Sequence, residues 1–137
     1  MSISKSYMLD TNIASYIIKG TYPTIRKNLL KNSQETICIS SITQAELLFG
    51  LAKKKNAKNL EIAVNEFLLR VDILPWDSEA GEWYAKLRTQ AEADGTPLGA
   101  MDMLIAAHAV TTGCTLVTND QAFYKLKHYI KLADWSK

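Results

Sequence analysis

The chain has 137 residues, enough for one domain with its own core and no need of disulfide or metal staples. At 47% hydrophobic and 22% charged it has the composition of an ordinary globular protein, and a net charge of +2 is too small to argue for a nucleic-acid partner by itself. No stretch nears the ~20 apolar residues of a membrane span, and the polar N-terminus predicts no signal peptide, so a cytoplasmic location is expected.

Strand-like and helix-like segments alternate. "SYMLD" is a short apolar strand ending on Asp10, and the polar segment after it leads to a helix near "TIRKNLLKN". "TICISS" is a second strand, "ITQAELLFGLAKK" a helix opening from it, and "NLEIAVNEFLLR" continues as helix with apolar residues at helical spacing. "VDILPW" is a strand closed by Pro75. Asp77 or Ser78 then caps a helix to about Ala93, with Ala80, Tyr84, Leu87 and Ala91 on one face. "DGTPLG" breaks it, "AMDMLIAAHAVTT" is a nearly all-apolar helix, and Gly113 stops that one. "CTLVTND" is another strand, and "YIKLADW" holds a last short one. Cys38 and Cys114 each fall in an apolar run and are expected as buried free thiols, far apart from each other, rather than as a disulfide.

This alternation predicts an α/β fold with a parallel sheet between helices, whose ligand site lies at the carboxyl ends of the strands. Four acids stand at that edge. Asp10 is the only charged residue between Lys5 and Lys19, and Glu46 the only one between Glu35 and Lys53. Asp102 is the only one between Asp94 and Asp120, and Asp120 meets no other charge until Lys125. Asp10 and Asp120 end strands, while Glu46 and Asp102 lie in the first turns of helices that open at the same edge.

Each acid has a local explanation. Asp10 and Asp120 could shape turns, Thr43 to Glu46 fits a capping box, and Asp102 could favour a helix dipole. None of these accounts for four acids aimed at one edge with no cation close in sequence. Two unit charges about 5 Å apart at an effective dielectric near 20 repel by roughly 3 kcal/mol. A hard divalent cation with a preference for oxygen ligands, Mg²⁺ or Mn²⁺, would relieve that repulsion. Zinc is not suggested. His108 lies on an apolar helix face with Met101, Leu104 and Ile105, where a packed histidine is expected, and His128 reads as surface.

"YMLDTN", "SSITQAELLFG", "GAMDMLIAAHAV" and "LVTNDQAF", in that order and spacing, resemble a PIN domain, and more narrowly the VapC toxins of bacterial toxin–antitoxin pairs. The match runs from about residue 6 to Asp134-Trp135, so residues 1–137 read as a single PIN domain. The resemblance implies a three-layer α/β/α fold with a central parallel sheet of about five strands. It implies a Mg²⁺- or Mn²⁺-dependent endoribonuclease, a homodimer, and inhibition by a small VapB-type antitoxin through which alone operator DNA is bound. Carried over by residue, Asp10, Glu46 and Asp102 are the metal-site acids. Asp120 takes a fourth position where close VapC relatives often have Asn, which leaves open whether it ligates directly. Thr11, Asn12, Ser41, Thr118 and Asn119 match the polar residues that line the family's site. Relatives of the enterobacterial type cut initiator tRNA in the anticodon region, which puts that RNA first among substrates.

Metal-assisted hydrolysis by water needs no side-chain nucleophile and leaves 5′-phosphate and 3′-hydroxyl ends. "AKKKNAK" offers Lys53, Lys54, Lys55 and Lys58 for RNA phosphates, or simply a solvated helix end. A haloacid-dehalogenase-type phosphatase would want a second Asp two residues after Asp10, where Asn12 stands. A non-catalytic PIN fold would have no use for all four acids. A PIN nuclease of RNA processing without an antitoxin stays open on sequence alone.

Overall fold

Ser6–Leu9 form β1, the central strand of the sheet, in a computed structural model that describes residues 5–95 and 98–137. The polar N-terminal residues 1–4, and Thr96 and Pro97 of the predicted break, lie outside that range. After β1 come α1 (Thr11–Lys19), α2 (Pro23–Lys31), β2 (Thr36–Ser40), α3 (Ser41–Ala52), α4 (Lys58–Arg70) and β3 (Asp72–Leu74). Then follow α5 (Ser78–Ala93), α6 (Ala100–Thr112), β4 (Thr115–Val117), a 3-10 helix (Gln121–Leu126) and β5 (Leu132–Ala133).

All five strands are parallel, in the order β3-β2-β1-β4-β5. Met8 pairs with Cys38 on one side and Leu116 on the other. Because side chains alternate along a strand, Met8 packs with Leu87 and Ala91 of α5 and with Ile105 and Ala106 of α6. Tyr7 and Leu9 point the other way, into Ile13 of α1, Ile25 of α2 and Phe67 of α4. Both faces are covered, as an all-parallel sheet requires, and the result is the expected three-layer α/β/α.

The chain lays β2 and β3 to one side of β1, then returns to place β4 on the other. That reversal opens a crevice at the carboxyl ends of β1 and β4, where open α/β sheets bind their ligands. Asp10 follows β1 directly, and Thr118 to Asp120 follow β4 directly.

Three sequence expectations are corrected, and one short element appears that none of them covered. The segment after Asp10 is a helix, α1: Asp10 caps it, burial of Ile13 and Ala14 outweighs the modest helix propensity of its isoleucines, and Gly20 ends it at φ 67°. α3 and α4 are separate helices, broken by residues 53–57 with Asn56 at φ 57°. Gln121–Leu126 form a 3-10 turn. Cys38 and Cys114 are free and buried, but they are not far apart: their sulfurs sit 3.7 Å from each other.

Candidate active site

Asp10 is 2% exposed, and its Oδ1 accepts the Ile13 N–H at 2.8 Å. It therefore is a helix cap, as the local explanation held. Its surroundings go further. Burial pushes its carboxyl up to about 6, and the charges of Asp102 and Asp120 push the same way, against hydrogen bonds from Thr118 and Ile13. The Asp102 carboxyl is also raised, by burial first and then by Asp120 and Glu46. Four acids widely separated in sequence thus share one electrostatic neighbourhood. The ion pairs among the described residues, Glu66 with Arg70 and Glu92 with Arg88, leave all four without a cationic partner.

The supporting bonds are specific. Thr118, fully buried, donates its hydroxyl hydrogen to Asp10 and accepts the Asp120 N–H at 3.1 Å. Asp120 uses Oδ1 to accept the Ala122 N–H at 3.0 Å, starting the 3-10 turn. Thr11, first residue of α1, donates to Glu46 Oε1 at 2.6 Å and lies 3.2 Å from the hydroxyl of buried Thr43. The capping-box explanation of Glu46 fails, because α3 starts earlier, at Ser41, capped by Ser40 accepting the Ile42 N–H at 3.1 Å. Glu46 is held across to α1 instead.

The other predicted residues separate. Asn12 is exposed beside Thr11, and Asn119 lies half-buried between Thr118 and Asp120. Ser41 accepts the Trp76 N–H at 3.1 Å and so fastens α3 to the turn after β3. Lys54 reaches the rim of a cavity that Glu46 also lines, whereas Lys53 stacks its ammonium 4.8 Å over the Phe49 ring. Lys55 and Lys58 are exposed.

His108 is packed, as expected, but it also joins elements. Its Nδ1 is 2.7 Å from Ser40 Oγ, and its ring N–H meets the Pro75 carbonyl. Burial lowers its pKa, with the Asp77 charge and the Pro75 bond opposing. Trp76 adds a bond from Nε1 to the Leu104 carbonyl at 2.9 Å. These contacts tie the start of α3 to α6, the helices that carry Glu46 and Asp102. The pattern of the sequence held no signal for Trp76 in this corner, and Thr43 was legible only as a helix starter.

Among the described residues no three acids, cysteines or histidines are grouped closely enough to hold an ion outright. The four acids form an open, oxygen-only set. That suits Mg²⁺ or Mn²⁺ bound largely through retained water, since Mg²⁺ gives up its hydration shell reluctantly and often takes only one or two carboxylates.

Comparison with known proteins agrees with this arrangement. A family model described as "PIN domain" matches residues 7–129. The chain is 38% identical to Ribonuclease VapC2 of Rickettsia felis over 132 residues, 96% of this chain and 98% of that protein. It is 32% identical to the tRNA(fMet)-specific endonuclease VapC of Shigella flexneri over 130 residues, 95% and 98% of the two chains. The fold superposes, with a TM-score of 0.88 and 36% identity over 95% of this chain and 98% of the other, on a crystal structure of VapBC2 from Rickettsia felis bound to a DNA fragment from their promoter.

Proposed function

The chain belongs to the PIN-domain family, among its VapC ribonucleases, and from that premise we propose a toxin–antitoxin toxin whose four carboxylates hold a divalent cation against an RNA phosphodiester. The observation that carries this reading is the gathering of four acids without cationic partners in one crevice, where burial first and then their mutual repulsion raise Asp10 to about 6 and raise Asp102 as well. The endoribonuclease activity and the VapB-type partner follow from the family. Dependence on Mg²⁺ or Mn²⁺ and the choice of initiator tRNA are the finer parts of the proposal. The tRNA is supported by the name of the Shigella flexneri relative.

Asp10, Asp102, Glu46 and Asp120 would hold the cation. When bound there, a divalent ion polarises the phosphodiester and lowers the pKa of attacking water. The chain's own groups set the geometry. Ile13 N–H and Thr118 fix the Asp10 carboxylate, and Thr11 fixes one oxygen of Glu46. Thr118 links Asp10 to the backbone of Asp120, so one side chain ties the carboxyl ends of β1 and β4 together. Polar residues held this way need little rearrangement when charge develops on the phosphate, which is where such sites derive their rate.

For the antitoxin, a groove of about 480 Å³ between α1, α2 and α4 supplies an apolar face with Ile17, Leu29, Leu30 and Phe67 in its wall. Leu30 is 62% exposed there. No helix among the described residues is long and apolar enough to cross a membrane. A homodimer remains part of the proposal.

The test is cleavage of purified initiator tRNA with Mn²⁺ and with chelator. Wild type should cut it only with the metal, leaving 5′-phosphate ends. Asp10→Asn, Glu46→Gln and Asp102→Asn should each lose at least a hundredfold in rate while folding normally, and Asp120→Asn less. Wild-type cleavage by a variant removes that acid from the site, and cleavage in chelator removes the metal.

A further inference from the structure

Gly50 stands in the last turn of α3, and glycine is the poorest helix former after proline. A helical glycine usually leaves room for a neighbour's packing, but a Cβ built at Gly50 meets nothing within 4 Å, and its backbone has no positive φ. Close packing within the folded chain therefore does not require it. The space it leaves open is a cavity of about 190 Å³ between α1, α3 and α4. Thr11 and Glu46, one hydrogen-bonded to the other, line its edge, so the cavity adjoins the acid cluster.

Its chemistry is divided. Ile18, Leu47, Leu51 and Val64 make the inner wall apolar, while Lys19 and Lys54 bring positive charge to the lining. Both lysines are exposed. An aliphatic wall can bury the apolar face of a base, and the lysines at the lining can meet its phosphates outside. The size points to one base. Pockets for drug-sized ligands run from about 300 to 1,000 Å³, and a helix about 10–12 Å across does not enter.

Resting on the nuclease reading above, we propose that this cavity takes the unstacked base of the nucleotide next to the scissile phosphate, and that Gly50 is there to keep it open. Sequence preference at that position then comes from the cavity, and cleavage chemistry from the acids.

The experiment uses the full chain, Mn²⁺ and short RNAs spanning the cleavage site, each with a single abasic ribose at one position beside the cut. Wild type should lose at least tenfold in kcat/KM when one particular flanking base is removed. Gly50→Leu, which fills the cavity, should lose a similar factor on intact RNA and be indifferent to removal of that base. Coupling of this kind marks two changes to one contact. Gly50→Met, a more pliant filler, runs beside it, and the melting shift with Mn²⁺ should match wild type in both.

Wild-type kcat/KM for both fillers, or losses that simply multiply with the abasic loss, would overturn the proposal. If the fillers cut normally but no longer bind the antitoxin, the cavity serves the protein partner, and the proposal falls alone. A wild-type chain that cuts no RNA would instead overturn the nuclease reading, and this one with it.

Discussion

Asp10 caps α1 and also shares a crevice with Asp102 and Asp120, and these roles have different pH signatures. Its folded-state carboxyl is raised from 3.8 to about 6. The folded chain therefore holds a proton that the unfolded chain has released, and metal-free stability is lost as pH rises from about 4 through 6. About two units correspond to on the order of 3 kcal/mol. His108 acts oppositely: its pKa is lowered from 6.5, so the unfolded chain takes the proton first and stability falls as pH drops below that value. Comparing wild type with Asp10→Asn cancels the histidine. In chelator the variant should gain on wild type steadily from pH 4 to 7, by denaturant titration, and a constant gap would mean an ordinary carboxyl at Asp10. Asp102→Asn should melt at or above wild type in chelator, because it removes repulsion and keeps shape. Millimolar Mn²⁺ should raise the wild-type melting temperature, by the equivalent of about 2.7 kcal/mol at a hundred times Kd, and the variant's much less. Equal shifts would place the ion elsewhere.

At the scale of elements, the end of α3 shows how one charged run divides its work. Lys53, Lys54 and Lys55 read alike in sequence, yet the turn that follows α3 sends them to different places. Lys53 lies over Phe49, and Lys54 lines the cavity that Glu46 also borders. Each phosphate contact to single-stranded RNA contributes about 0.7 to the salt slope of binding. Lys54→Gln should therefore flatten the slope by about that amount, and Lys53→Gln should leave it as it was. Fluorescence titrations at several salt concentrations check this, and equal effects would return the run to a solvated helix end.

For the whole molecule, two depressions that share α1 and α4 would serve two partners. On the proposed reading the acids and the small cavity between α1, α3 and α4 would take RNA, and the apolar groove between α1, α2 and α4 the antitoxin. Leu30→Asp places a charge in that groove at an exposed position, so the fold should tolerate it. Antitoxin Kd should rise at least tenfold, about 1.4 kcal/mol, with RNA cleavage by the free toxin unchanged. Unchanged antitoxin affinity would move the interface to another face.

The fold class was legible in the sequence because parallel strands buried on both faces must be short apolar runs, and these alternate with helical ones. That Asp10, Glu46, Asp102 and Asp120 share one edge was legible because each is a lone acid at a strand end or helix start, and those ends meet on one side of a parallel sheet. α1 was hidden by its isoleucines, which favour strands until Ile13 and Ala14 find a core to bury in. The approach of Cys38 to Cys114 was hidden as well, since strand order decides which distant residues meet, and strand order is a tertiary property. The same applies to the bond from Thr11 to Glu46, to the Trp76 corner and to the space beside Gly50. Residue types along a chain specify which groups want partners. Only packing, which brings residues 11 and 46 or 40 and 108 within bonding distance, decided which partners they have.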